Sequence, residues 1–208
     1  MKEIVVAGPM LHRLSRIYEE METEYNRVAV QLGFSCEGCP DNCCDSYFEH
    51  HTYAEWSYLW LGFRHLPAEE QQEILLRAEA YQRACEDALA REERPQVMCP
   101  LNRQGRCILY PYRLMVCRTH GVPATMTRPD GRRLRFPGCF RCQELVAGQY
   151  QNEEGVLCVE RTPLLRQLAM LENDLLAGRR HLYPKIRLTI AQMLLQGPPS
   201  IPVPHCER

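Results

Sequence analysis

Nine of the twelve cysteines in this chain fall into three compact groups. Cys36, Cys39, Cys43 and Cys44 read C-x2-C-x3-C-C; Cys99, Cys107 and Cys117 form a second group; Cys139 and Cys142 read C-x2-C. A C-x2-C pair on a turn folds two sulfurs to the same side, where both can reach one ion at about 2.3 Å. Two such pairs with further clustered thiols point to metal binding. Nine thiolates exceed the four that one zinc ion or one 4Fe–4S cluster takes, so either two sites exist or several thiols support a site without ligating it. Adjacent residues send their side chains in different directions. The Cys43-Cys44 doublet therefore suits a larger iron–sulfur cluster, or two separate sites, better than one small tetrahedral ion.

Three cysteines have plainer roles. Cys85 falls on the apolar stripe of a helix and is expected in the core, as is Cys158 within Val156-Leu157-Cys158-Val159. Cys206, beside His205, belongs to the tail. His120 stands two residues past Cys117 at a spacing zinc accepts, with structural hydrogen bonding as its simpler role. His50 and His51 are expected at a helix cap or on the surface. Arg113 and Arg118 flank Cys117 and would favour a thiolate. Arg128, Arg132, Arg133 and Arg135 surround a turn, solvated or serving a small anionic partner.

The elements that must position these groups are mostly helical. Leu11, Leu14, Tyr18, Met21, Tyr25, Val28 and Leu32 recur at helical steps, and Gly33 supplies a stop. The first cysteine group then lies in loop chemistry over residues 33–46. A second helix is expected over residues 52–61, with Thr52 and Glu55 as a capping box and Trp56, Leu59, Trp60 and Phe63 as its stripe. A third starts at Pro67 and carries Ile74, Ala78, Tyr81, Cys85 and Ala88. Pro111 opens a short turn bearing Leu114 and Cys117. Asp130-Gly131 signals a hairpin with arms 124–128 and 132–136. Leu164, Leu168, Leu171 and Leu175 mark one closing helix, and Ile186, Ile190 and Met193 or Leu194 another. The fold class is mainly α: helices around an irregular, cysteine-rich metal-binding centre, with one short β-hairpin. A single domain over residues 1–208 is expected. Its cysteine-rich core covers about 34–50 and 97–145, a helical insert 52–94, C-terminal helices 161–196 and an extended, proline-rich tail 197–208.

A formal net charge of −1 and a pI near 6.7 build no basic field, so no nucleic-acid partner is expected. No apolar run approaches the roughly 20 residues that span a bilayer, so no membrane role is expected. Ile4, Val5, Val6 and Ala7 are too few for a signal-peptide core, and a cytoplasmic location follows as an expectation. Thiols there stay reduced, which favours metal over disulfides.

The ordered residues resemble a known family. The Cys-Cys cluster is followed by Cys99-Pro100-Leu101, then Gly105-Arg106-Cys107-Ile108-Leu109-Tyr110, then Tyr112-Arg113-Leu114-Met115-Val116-Cys117-Arg118. This order, over about residues 36–142, resembles the YkgJ-type cysteine-cluster family, the CxxCxxCC group described as a zinc- or iron-chelating domain. The gap from Cys39 to Cys43 is one residue longer than that label, and Arg113-Leu114 stands where the family has Arg-Pro. The resemblance implies metal ligation by the nine clustered cysteines and no general reaction. The same cluster occurs in flagellin lysine N-methylases, which are larger and associated with an iron–sulfur centre and S-adenosylmethionine. This chain has neither a G-x-G-x-x-G loop after a strand nor a C-x3-C-x2-C spacing, so a methylase reading is analogy alone.

The expected function is a 4Fe–4S-type protein in electron transfer or redox support, working with a redox or other protein partner. The alternative is a zinc-binding structural or docking module. A metal-dependent modifying enzyme, with Tyr47, Glu49, His50 and His120 as its only suggestive neighbours, comes third. Intact mass of anaerobically purified protein should not change on reduction. A gain matching six reduced bridges would contradict the metal reading.

Overall fold

Short apolar repeats and strong turn residues break this chain into many brief elements. The computed structural model describes residues 2–37, 39, 43–152 and 155–201, and for Cys43 the backbone alone. In chain order come β1 (Lys2–Glu3), α1 (Gly8–Leu32), a 3-10 turn at Cys43–Asp45, α2 (Tyr53–Phe63) and α3 (Ala68–Ala90). Next are β2 (Asn102–Arg103), β3 (Arg106–Cys107), α4 (Met115–Thr119), β4 (Ala124–Thr127), β5 (Arg133–Phe136) and α5 (Phe140–Gln149). β6 (Val159–Glu160), α6 (Arg161–Leu175), α7 (Ile190–Leu195) and β7 (Ser200–Ile201) close the described chain. The mainly α class holds, and the Asp130-Gly131 hairpin forms in the expected register, Ala124 opposite Phe136 and Thr127 opposite Arg133.

The chain divides into two compact units built from interleaved segments. The first gathers Met1–Leu11, Cys44–Leu114 and Leu171–Arg208; the second gathers His12–Cys43 and Met115–Met170. The cysteine-rich segments are thereby divided between the two.

In the first unit α2 is buried on nearly every side, including Glu55 and Ser57. Thr52 caps it: its Oγ1 accepts from the Glu55 amide at 3.1 Å and donates to the Glu55 carboxylate at 2.9 Å. The carboxylate thus binds the hydroxyl. Trp56 and Trp60 both donate indole N–H bonds to the Met193 carbonyl at 2.9 Å, satisfying an orphan group near the C-terminus of α7. Gly62 is required where it stands, because a Cβ there would lie 2.3 Å from the Tyr112 ring. Glu172, 3% exposed, pairs with Arg180 at 2.5 Å and accepts from the Ala54 amide at the start of α2. α3 buries Ile74, Ala78, Tyr81, Cys85 and Ala88, the expected stripe, although Pro67 caps the helix and lies outside its first turn. α7 begins after Thr189, which makes a full capping box with Gln192, so Ile186 precedes the helix. Of the tail, β7 pairs with β1, Lys2 opposite Ile201. Residues 202–208, with His205 and Cys206, lie outside the described residues.

In the second unit α1 buries Leu14, Ile17, Tyr18, Met21, Val28, Ala29 and Leu32, and Gly33 closes it at φ +64°. The sheet order is β5-β4-β6, with β6 parallel to β4. α5 was not expected from the sequence: ten residues with few apolar positions carry little periodicity. Among the described residues no helix is long and apolar enough to cross a membrane.

His50 departs from the expected cap or surface role. Its backbone bridges Leu188, donating at 2.7 Å and accepting at 3.0 Å, while its ring is 2% exposed with neither nitrogen hydrogen-bonded. Burial, with a smaller push from His51, drives its pKa down to about 3. A histidine depressed in the folded state stabilises fully above its unfolded pKa of about 6.5 and loses that contribution as pH falls towards 3. Between pH 7.5 and 5 this group alone should remove about 2 kcal/mol of unfolding free energy. Urea unfolding at both pH values should show His50→Leu losing that much less than the parent; equal losses would contradict the assignment.

Candidate metal centre

The second unit brings together both C-x2-C pairs. Once Gly33 has ended α1, the chain turns at Cys36, whose carbonyl accepts from the Cys39 amide at 3.2 Å. The Tyr25 hydroxyl stands 3.7 Å from the Cys36 Sγ. The other pair opens α5: Cys139 is the N-cap residue, and Cys142, fully buried, lies in the first turn. Gly138 sets the entry to Cys139. It has φ +92°, and a Cβ there would meet the Gly121 carbonyl oxygen at 2.6 Å. The Cys139 amide then donates to that same carbonyl at 3.0 Å. Arg141 ties the two pairs together by donating to the Glu37 carbonyl at 3.4 Å.

The four thiols interact electrostatically. Burial, chiefly, raises the Cys139 thiol; the charges of Cys36 and Cys39 raise it further, while the amides of Cys142 and Arg141 oppose them. Neither amide closes a full capping bond to the sulfur. Burial and then Cys139 and Cys36 push Cys142 up to about 11. Burial and the neighbouring thiols thus disfavour the thiolate form of Cys139 and Cys142. A bound divalent ion reverses that balance, because the thiolates then neutralise its charge.

The first unit assembles a second group. The Cys44 carbonyl accepts from the Cys99 amide at 2.9 Å, and the Cys99 carbonyl accepts from the Asn102 amide at 2.9 Å. Asn102 pairs with Cys107 across the β2-β3 hairpin, whose turn residues Gln104 and Gly105 have φ +51° and +83°. That hairpin, with arms of two residues, gave no alternation to read. Burial pushes Cys107 up to about 11 and the Cys44 charge adds to it; the Leu109 amide and Arg113 pull the other way. Arg113 also lies over the Tyr110 ring, 3.6 Å from its centroid.

Cys117 sits half-buried on α4 in the second unit, where Arg118 lies over the Tyr18 ring. His120 donates its amide to the Val116 carbonyl at 2.9 Å. The side chain of Cys43 lies outside the described residues. Cys85 is buried as expected and hydrogen-bonds Tyr81. Cys158 is half-buried, not core, with its thiol 3.3 Å from the Val156 carbonyl. Of the basic turn, Arg128 pairs with Asp130 and Arg133 with Glu160. Of the suggested enzymatic neighbours, Glu49 pairs with Arg187 at 2.5 Å, burial and then the Glu49 charge raise the Tyr47 phenol, and His50 is sealed. Tyr25 and Arg141 were missed, because nothing in their spacing ties them to a sulfur. Among the described residues no three His, Cys, Asp or Glu side chains stand at metal-holding geometry. No protein-family model, curated protein or solved structure matches the chain.

The Gly138 clash should be measurable. Gly131 shares a positive φ, +83°, but has nothing within 4 Å of a Cβ. Gly131→Ala should cost about 1 kcal/mol of stability, and Gly138→Ala about 3 kcal/mol or more, by urea unfolding. Equal costs would show that the approach to Gly121 does not constrain Cys139.

Proposed function

We propose that this protein is a thiolate metal protein in which Cys36, Cys39, Cys139 and Cys142 hold one zinc ion, and that Cys44, Cys99 and Cys107 belong to a second thiolate site. The observation that carries the reading is the gathering of both C-x2-C pairs in one unit, close enough for their charges to act on each other. The donor set fits the ion: four thiolates are a complete tetrahedral shell, which makes the site structural, with no open position for substrate. Zinc there would supply folding energy by joining the end of α1 to the start of α5. The Arg141 link brings the two pairs near each other, and ligation would require the four sulfurs to draw closer than they stand here. The Cys43-Cys44 doublet suits two sites, since adjacent residues send their side chains in different directions. A protein partner docking on this scaffold is part of the proposal; a modifying enzyme is not, because a shell of four thiolates leaves no open coordination position.

Iron–sulfur is the second reading, favoured at Cys107. An amide N–H and the Arg113 cation both act on that sulfur, and such groups offset the negative charge of a cluster.

Metal and sulfide analysis of anaerobically purified protein separates the readings. Zinc without sulfide is expected, and Cys139→Ser should remove about one zinc per chain and lower the thermal midpoint. Stoichiometric iron and sulfide would replace the zinc reading. Protein without metal, or with content unchanged in Cys139→Ser, would contradict the proposed site.

A further inference from the structure

The arginines around the Asp130-Gly131 turn serve neither thiolate group, and strand alternation sorts them. Arg133 and Arg135 fall two residues apart on β5. Arg135 stands opposite Thr125 of β4, which in turn stands opposite Glu160 of β6. These four side chains therefore share one face of the sheet, the face turned away from the buried Ala124 and Val159. That face floors a cleft of about 670 Å³ in the second unit, walled by residues 155–158 with Gln31 of α1 at its edge. Both arginines are exposed, so an occupant reaches them without opening the fold. Arg133 keeps 68% of its side chain exposed, donates to the Thr125 hydroxyl at 3.4 Å and stands 3.8 Å from Glu160.

The charges of this face select an anion. The β4-β5 hairpin and β6 carry Arg128, Arg132, Arg133 and Arg135 against two carboxylates, Asp130 and Glu160. Asp130 pairs with Arg128 at 3.4 Å, at the turn. Glu160 is already engaged: one oxygen accepts from the Thr162 amide and hydroxyl, the other from the Thr125 hydroxyl. A guanidinium has five N–H donors in a fork that matches a carboxylate, and a contact within the fold uses one or two of them. The spacing then names the partner. Two residues along a strand cover about 7 Å, and an extended peptide repeats its side chains on one face at the same interval. We propose that this cleft docks an extended acidic peptide of a partner protein, with carboxylates at alternate positions taken by Arg133 and Arg135. The proposal rests on the docking role proposed above and gives it a chemistry. None of its residues is a thiolate ligand of either proposed site, so peptide binding and metal content fail separately.

The probe is fluorescein-labelled Ser-Thr-Glu-Val-Glu-Thr-Ser, titrated by anisotropy into full-length protein whose metal content is measured on the same sample. Saturable binding is expected, with amide NMR shifts centred on residues 133–135 and 155–160. The same peptide with glutamines for glutamates should bind at least about tenfold more weakly. The rearranged Ser-Thr-Val-Glu-Glu-Thr-Ser, of equal charge, should lose at least about threefold, because its carboxylates leave on opposite faces. Arg135→Glu, at an exposed position, should weaken the probe at least about tenfold. Glu160→Gln removes the competing carboxylate and should tighten it at least about twofold, a gain that a damaged fold would not give. Equal affinity for the glutamine or the rearranged peptide, no loss in folded Arg135→Glu, or oligothymidylate binding as tightly as the probe would each overturn the proposal. So would the absence of saturable binding, and zinc retained in that sample would leave the metal reading standing.

Discussion

Glu37 and Arg141 touch across 104 positions of chain, and that closure is the constraint on which the proposed site depends. Closing a loop of that length costs about 4 kcal/mol in chain entropy, beyond the constant term for any closure. The intervening chain includes the whole of Cys44–Leu114, which folds into the other unit. Among the described residues the two ends are joined by hydrogen bonds such as Arg141 to the Glu37 carbonyl at 3.4 Å and Gln149 to the Leu32 carbonyl at 3.2 Å. Contacts of this kind each contribute about 1 kcal/mol net. A structural ion drawing four sulfurs together would supply far more, which is why metal and fold are one question here.

The local devices around the sulfurs agree with that reading. Gly138 takes a backbone conformation and a close approach that no other residue fits, and it does so immediately before Cys139. Cys139 then uses the N-terminal end of α5, where free amides favour a negative sulfur. Burial opposes that charge and raises the Cys139 and Cys142 thiols. The Cys44, Cys99 and Cys107 group repeats the logic with different parts, a tight hairpin and the Arg113 guanidinium in place of a helix start.

Long elements were legible in the chain. Twenty-five residues of α1 and twenty-three of α3 repeat their apolar positions enough times to leave no competing reading. Asp130-Gly131 announced its hairpin because only a few residue pairs accept that turn. α5 and the β2-β3 hairpin were hidden, since neither is long enough to establish a period. The division into two units was hidden for a different reason: it depends on which distant segments pack together, and interleaved segments leave no boundary in composition. Both C-x2-C pairs belong to one unit, and Cys44, Cys99 and Cys107 to the other. His50 was misread because residue type argued for the surface, while its burial is imposed by the backbone bridge to Leu188.

The sharpest question is whether Cys36, Cys39, Cys139 and Cys142 share one ion. Zinc K-edge X-ray absorption on protein carrying Cys107→Ser, which disables the second group, addresses it directly. The account predicts one zinc with four sulfur neighbours at about 2.3 Å. A shell dominated by nitrogen or oxygen, or no bound zinc, would contradict it.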